Sequence, residues 1–206
     1  MKSLVQFPAE FDYNLLLHAL RDYKKPRDKI RGLIKDKDIV RVKKGLYVLG
    51  KEYNKPYNKF ILANLIYGPS YITGQTALAF WNMIPERVEL TISMTMKRKK
   101  QFETPVGKFS YLYCPKKVFN IGIRLEDAGD EKKFLIASPE KALCDMTAMQ
   151  THISTKREMK EFLELMRLDD SVNKDLDLSL LEEIKTGYRR QSIKLLLNCL
   201  KENHVW

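Results

Sequence analysis

Cysteine and histidine are scarce in this chain of 206 residues, with three of each. Cys114, Cys144 and Cys199 are odd in number, far apart and set among apolar neighbours. That pattern is typical of buried, reduced thiols in a cytoplasmic protein rather than of a disulfide framework. The histidines lie in separate segments, without the spacing of a zinc site or a catalytic triad. We therefore expect no metal, no cofactor and no disulfide.

Phosphate-binding glycine loops and long apolar runs are also missing. The nine glycines are scattered, which excludes the glycine-rich nucleotide-binding motifs. No apolar stretch approaches the roughly 18 residues of a membrane span. Residues 1–13 lack the apolar core and cleavage site of a secretory leader. These absences predict a cytoplasmic protein that is not an enzyme and has no place in a membrane, while an apolar content of 44% supports a folded core.

Positive charge, by contrast, is abundant and concentrated. Residues 21–59 contain fourteen Lys or Arg against five Asp or Glu, and so hold most of the net charge of +11. Clustered like charges repel one another, so such a segment is typical of a surface that binds an anionic partner, first of all a nucleic-acid backbone. Apolar residues interleave with the charges. The segment is therefore predicted to be a folded basic module rather than a tail.

The basic module begins with two predicted helices. Apolar residues recur at helical spacing over 11–23, and Pro26 suits the first turn of a second helix, where its missing N–H has no partner to lose. At about 100° per residue, one side of the second helix should carry Ile30, Leu33, Ile34 and Lys37. The opposite, outward side is then basic.

A hairpin is predicted to follow the second helix. Two β-rich runs, 39–43 and 46–49, are joined through Lys43, Lys44 and Gly45, and glycine supplies the positive φ of a three-residue hairpin loop. The order helix, turn, basic helix, hairpin is that of a winged helix-turn-helix domain, which we place at residues 1–55.

The second helix and the hairpin carry the predicted DNA contacts. A helix with basic residues outward fits the major groove, and a hairpin tip can lie along the adjacent backbone or minor groove. Gly32 would let the helix backbone approach a groove without an intervening side chain. The predicted DNA-binding residues are Arg27, Lys29, Arg31, Gly32, Lys35, Arg41, Lys43 and Lys44. The alternatives are a basic face that meets only solvent, and a short helix that ends at Gly32.

Residues 56–206 are predicted to form a C-terminal α/β domain, after a hinge marked by Tyr53, Pro56 and Tyr57. Helices are expected over 58–67, 74–83, 178–185 and 190–201. Two more are expected to begin after the capping residues Ser138 and Thr155. Short strands are expected over 71–73, 88–94, 107–113, 118–125 and 133–137. The fold class is therefore α+β, a winged helix-turn-helix domain followed by a mixed domain with a small mixed or antiparallel sheet and several helices.

Two polar clusters in the second domain carry alternative chemistry. Lys97, Arg98, Lys99 and Lys100 form a second basic run, which is either a further phosphate contact or a solvated loop. Asp127, Glu131 and Lys133 loosely resemble the acids and lysine of a metal-dependent nuclease. Acids crowded into one polar turn are more typical of a solvated loop.

Three segments carry a family resemblance. They are 39–47 (IVRVKKGLY), 74–81 (GQTALAFW) with the Ile84-Pro85 that follows, and 137–145 (ASPEKALCD). In this order and spacing they resemble the winged-helix hairpin, the helix that opens the second domain and the Pro-Glu-Lys-Ala-Leu segment of the AbiEi family, the antitoxins and autorepressors of type IV toxin–antitoxin systems.

The resemblance implies a DNA-binding N-terminal domain that represses its own operon by binding inverted repeats in double-stranded promoter DNA. It also implies a C-terminal domain that counters a nucleotidyltransferase-like toxin, with or without direct contact. Glu140, Lys141 and Asp145 would then serve toxin antagonism or the fold, with Lys141 paired to Asp145 at i, i+4.

The leading hypothesis is thus a cytoplasmic transcriptional autorepressor and antitoxin. A metal-dependent nuclease with a winged-helix targeting domain is one alternative. An RNA-binding accessory protein is another, since a basic wing also serves structured RNA.

Overall fold

A computed structural model describes residues 4–86, 88–168 and 176–203. The strands are β1 (Glu10–Asp12), β2 (Ile39–Lys43), β3 (Leu46–Leu49), β4 (Ser70–Ile72), β5 (Thr91–Thr95), β6 (Lys100–Thr104), β7 (Gly107–Tyr113), β8 (Ile123–Asp127) and β9 (Lys133–Ala137). The helices are α1 (Tyr13–Ala19), α2 (Pro26–Lys35), α3 (Lys59–Ile66), α4 (Gly74–Phe80), α5 (Lys116–Phe119), α6 (Pro139–Met149), α7 (Lys156–Leu165), α8 (Leu178–Tyr188) and α9 (Gln191–Asn203). This content confirms the predicted α+β class.

The first three strands form a small antiparallel sheet, the N-terminal sheet, in the order β1-β3-β2. Strand β3 is buried along its whole length because both faces of the sheet are covered. Tyr47 and Leu49 belong to a small apolar cluster with α1 and α2, whereas Leu46 and Val48 belong to the larger core of the rest of the chain. The alternation of side chains along a strand thus places α2 and the large core on opposite faces.

The remaining strands form the large sheet, in the order β6-β7-β5-β4-β9-β8. Parallel pairs β4/β9 and β5/β7 alternate with antiparallel ones, so of the two predicted alternatives, a mixed or an antiparallel sheet, the structure has the mixed one. Tyr111 donates its hydroxyl hydrogen bond to the Ala63 carbonyl of α3 at 2.6 Å. On the other face Tyr71 reaches Asp145 of α6. The large sheet therefore lies between α3 and the helices that pack with α6.

The N-terminal sheet lies along α3 and is tied to both of its ends. Near the start of α3, the buried Glu10 carboxylate accepts a hydrogen bond from the Asn58 backbone N–H at 2.5 Å. At the other end, the Lys43 ammonium group donates to the Ile66 carbonyl. Between these points Val42, Leu46 and Val48 join the large core. The N-terminal sheet is thus joined to α3 near both ends of the helix and shares the large core with it.

Two predictions near the N-terminus were wrong. The helix expected over 11–23 covers Tyr13–Ala19, because Phe11 pairs with Tyr47 in the N-terminal sheet and belongs to strand β1. Lys37, expected on the apolar side of α2, is exposed at φ +62, beyond the end of the helix.

Two predictions in the large sheet also need correction. Residues 118–125 do not form one strand, since the short helix α5 precedes strand β8 there. Strand β6 was missed because it lies at the edge of the sheet with mostly polar, exposed residues, and so has no apolar alternation to reveal it. Within the described residues, no helix is long and apolar enough to cross a membrane.

Candidate nucleic-acid interface

Helix α2 presents a basic face to solvent. Pro26 occupies its first turn, as predicted, and Ile30 and Leu33 are buried against the small cluster. Opposite them lie Arg31, Gly32 and Lys35, which we call the α2 face; Asp28 lies on the same side, whereas Arg27, seven residues before Ile34, is exposed beside the apolar side. The side chain of Arg31 is 83% exposed and makes only a solvent-screened pair with Asp28 at 3.4 Å.

Gly32 sits in the middle of the α2 face. Helix α2 continues past it to Lys35, so the alternative that Gly32 ends the helix is wrong. A Cβ atom added at Gly32 would meet no other atom within 4 Å. The helix backbone is therefore open to solvent at this point, as an approach to a groove requires.

Lys29 lies beside the α2 face rather than within it. It is half-buried, and its ammonium group is 5.9 Å from the centre of the Tyr23 ring. Lys29 can contribute positive charge to the surface, but its side chain lies towards the Tyr23 ring, beside the α2 face.

The hairpin is tighter than predicted. Its strands have the predicted bounds, but Lys43 belongs to β2, which leaves Lys44 and Gly45 in the turn, with Gly45 at φ +88. Lys44 is exposed at the tip.

Arg41 and Lys43 point to opposite faces of the N-terminal sheet. Arg41 pairs with Tyr47 on the α2 side, and Lys43 pairs with Leu46 on the side of the large core. Residues two apart on a regular strand share a face, but a β-bulge at Val42 adds one residue and reverses the alternation. Arg41, which is exposed, therefore adds to the charge beside α2, and Lys43 does not.

The structure places Lys43 within β2 rather than at the hairpin tip, and its predicted contact with DNA stays a prediction. Its side chain is half-buried and ends at the Ile66 carbonyl, at the carboxyl end of α3. Burial lowers the pKa of Lys43, and the positive charges of Lys100 and Lys97 lower it further. Lys43 thus has a structural contact, and it stands close to the second basic run.

The second basic run meets Lys43 at the same end of α3. The Lys97 ammonium group donates to the Gly68 carbonyl. Lys97 and Lys100 lie 5.3 and 5.8 Å from the centre of the Tyr67 ring, within range of a cation–π contact. Arg98 and Lys99 are exposed. The sequence did not predict a role for Tyr67, because the basic run whose lysines contact its ring begins thirty residues further along the chain.

Glu140, Lys141 and Asp145 are buried in α6. The Lys141 ammonium group is 2.8 Å from Asp145 Oδ1, and both side chains are fully buried, so the predicted i, i+4 pair forms inside the protein. Glu140 accepts a hydrogen bond from the Asp177 backbone N–H at 3.0 Å. None of the three is accessible to a partner protein, which favours their structural interpretation.

Three hydroxyl groups complete the environment of Asp145. Oδ2 accepts from Tyr71 at 2.8 Å and Thr73 at 2.7 Å, and Oδ1 accepts from Tyr188 at 2.5 Å. Burial, followed by the negative charge of Asp145, raises the pKa of both tyrosines well above the ordinary value. The hydroxyls therefore stay protonated and serve as permanent donors. Neither tyrosine was predicted as a partner, because the contacts join β4, α6 and α8.

The cluster considered for a nuclease lies in the turn between β8 and β9. Asp127, Glu131 and Lys133 are all exposed, and Asp127 accepts a hydrogen bond from the Gly129 backbone N–H at 2.6 Å. Among the residues that the structure describes, no group of three or more His, Cys, Asp and Glu is placed to hold a metal ion. The geometry is that of a solvated turn.

The contact of Glu10 with Lys132 was also missed. The Lys132 ammonium group lies 2.7 Å from Glu10 Oε2, which joins the N-terminal sheet to the turn before β9. The two residues are 122 positions apart, and no local pattern could connect them.

No protein-family model matches the chain, and comparison with curated proteins finds no significant relative.

Proposed function

We propose that this chain is a DNA-binding repressor of its own operon and an antitoxin that counters a nucleotidyltransferase-like toxin. The observation that carries the DNA-binding half is the α2 face, where Arg31 and Lys35 lie on either side of the open backbone at Gly32. Arg41 adds a further exposed cation on the α2 side of the N-terminal sheet.

The order of elements supports a winged helix-turn-helix interpretation. Strand β1, helices α1 and α2 and the hairpin β2–β3 follow one another, and β1 pairs with β3 beside the hairpin. In that arrangement α2 is the recognition helix, which lies in the major groove, and the hairpin is the wing. Arginine and lysine on such a helix reach phosphates and guanine edges.

The antitoxin half rests on the three segments that resemble the AbiEi family. The Pro-Glu-Lys-Ala-Leu segment opens α6, which Ser138 caps by accepting from the Lys141 backbone N–H. Because Glu140, Lys141 and Asp145 are buried, the segment's role in this proposal is to maintain the fold of residues 56–206. The surface that counters the toxin then lies elsewhere on this part of the chain.

Binding to the duplex upstream of the chain's own reading frame tests repression. The variant R31A/K35A removes two exposed cations of the α2 face and creates no cavity in an apolar core. Its matched control is K160A/K194A, which removes two exposed lysines from α7 and α9; α9 packs with α6, on the far side of the large sheet from α3, and α7 packs with α9. We expect R31A/K35A to weaken binding, measured by fluorescence anisotropy, and K160A/K194A to bind nearly as the unmodified chain does.

Two outcomes would overturn the DNA-binding proposal. One is an equal fall in affinity in both variants, which would indicate a response to net charge alone. The other is tighter binding to a structured RNA hairpin than to the upstream duplex at the same salt concentration.

Co-expression with the product of the neighbouring reading frame tests the antitoxin half. We expect that frame to encode a nucleotidyltransferase-like toxin whose growth arrest the chain relieves. R31A/K35A should relieve it equally well, because its changes lie outside residues 56–206. The absence of such a frame, or persistent growth arrest, would contradict the antitoxin proposal and leave the DNA-binding half intact.

A further inference from the structure

The carboxyl end of α3 gathers basic residues from two distant parts of the chain. Lys43 comes from the hairpin of the N-terminal sheet, Lys97 comes from the connection between β5 and β6, and Lys100 is the first residue of β6. We call these residues and the two between them the junction cluster: Lys43, Lys97, Arg98, Lys99 and Lys100.

Local contacts fix the geometry of the junction cluster. Lys43 and Lys97 donate to the Ile66 and Gly68 carbonyls, where the helix dipole of α3 favours positive charge. Both Lys97 and Lys100 lie within cation–π range of the Tyr67 ring. These contacts hold Lys43, Lys97 and Lys100 close together, and Arg98 and Lys99 lie between the last two along the chain.

The charge of the junction cluster is not balanced by acids. Within the described part of the chain, none of its five members forms an ion pair. The lowered pKa of Lys43 reflects, after burial, repulsion from Lys97 and Lys100. Local contacts account for Lys43, Lys97 and Lys100, but they leave Arg98 and Lys99 exposed without a role. An anionic ligand would reduce the electrostatic repulsion between these like charges.

The position of the cluster identifies that ligand. Lys43 is followed directly by the exposed Lys44 at the tip of the hairpin, so the cluster extends the hairpin surface onto the rest of the chain. We propose that the junction cluster is a second phosphate-binding site, at which Arg98 and Lys99 contact the DNA backbone beyond the hairpin tip, on the other face of the N-terminal sheet from α2. This inference rests on the proposed DNA-binding function and assigns part of the DNA contact to residues after position 56.

The test compares R98A/K99A with the control K160A/K194A, in the full chain and on a long duplex containing the upstream operator. Both variants remove two exposed cations, and R98A/K99A keeps Lys43 and Lys97, which donate to the Ile66 and Gly68 carbonyls. Removing one phosphate contact makes the slope of log K against log salt shallower by about 0.9, so removing two reduces the fall in affinity between 50 and 200 mM salt by about tenfold. We expect this change for R98A/K99A and none for the control.

A shortened duplex gives a second, independent readout. When the DNA is trimmed to the groove segment that α2 covers, the difference between R98A/K99A and the unmodified chain should disappear. If R98A/K99A matches the control on the long duplex, or weakens binding to an RNA hairpin instead, the second phosphate site is wrong. If the unmodified chain binds no duplex at all, the proposed function itself fails, which is a distinguishable result.

Discussion

Arg41 and Lys43 lie two positions apart on β2, yet they serve opposite sides of the N-terminal sheet. Arg41 stands on the side of α2, and Lys43 reaches the Ile66 carbonyl at the end of α3. The β-bulge at Val42 produces this division, and it separates a cation available to a ligand from one that joins two parts of the fold.

Lys43 and its neighbour Lys44 should therefore respond differently to alanine substitution. K44A removes an exposed cation at the hairpin tip and should weaken DNA binding with little change in stability. K43A removes a hydrogen bond to a helix end and should lower the free energy of unfolding by about 1 kcal/mol. Urea denaturation and DNA titration of both variants check this. Equal effects of the two variants in both measurements would contradict the division.

Gly32 offers a variant that separates stability from binding. Since a Cβ at this position meets nothing within 4 Å, G32A should stabilise α2, by up to about 1 kcal/mol for replacing a glycine inside a helix. On the groove-facing side, however, the added methyl group should keep the backbone away from DNA. We expect a higher melting temperature together with a weaker affinity for the upstream duplex. A more stable variant of unchanged affinity would show that Gly32 does not approach DNA.

The buried Lys141–Asp145 pair should show strong coupling. K141M leaves an unpaired buried carboxylate, and D145N leaves an unpaired buried ammonium group; each change should cost about 3–5 kcal/mol. The double variant K141M/D145N has neither charge, and its amide oxygen can still accept from two of the three hydroxyls while its NH2 group donates to the oxygen of the third, so it should be more stable than either single variant. Urea denaturation of the four proteins measures the coupling. A double variant whose destabilisation equals the sum of the two single effects would exclude it.

The capping box of α7 predicts a dependence on acid pH. Hydrogen bonds from the backbone N–H groups of Ser154 and Thr155 and from the Ser154 hydroxyl lower the pKa of Glu158 from 4.5 to about 2. The stabilisation is present above pH 4.5 and is lost as the pH falls towards 2, because only the carboxylate is favoured in the folded state. The stability advantage of the unmodified chain over E158Q should therefore shrink across this interval. An advantage that stays constant from pH 5 to pH 2 would contradict the pKa assignment.

Local sequence patterns predicted much of the fold. Pro26 marked the start of α2, Ser138 the start of α6, and Gly45 the hairpin turn, because caps and turns depend on a few neighbouring residues. The same patterns could not distinguish Phe11 in a strand from Phe11 in a helix, since its partner Tyr47 lies far along the chain.

The candidate site was predicted less completely than the fold. Helical spacing sufficed to place Arg31 and Lys35 outward. The face of the N-terminal sheet to which Lys43 points depends on one extra residue in β2. The alternation of apolar residues in the sequence does not reveal this β-bulge. The approach of Lys97 to Lys43 depends on how the N-terminal sheet and the large sheet pack around α3. The amino-acid composition does not predict that packing.

The most direct test of the central claim locates α2 on bound DNA. A thiol-linked iron chelate that cleaves nearby DNA can be attached at K35C on the α2 face, with K194C on α9 as the control. The native thiols of Cys114, Cys144 and Cys199 are buried, and burial raises the pKa of each, so they should remain unlabelled. We predict cleavage of the upstream duplex by the K35C conjugate on the strands bordering one major groove, and none by K194C. Absence of cleavage by the K35C conjugate on DNA that is bound, or the same pattern from both conjugates, would contradict the account.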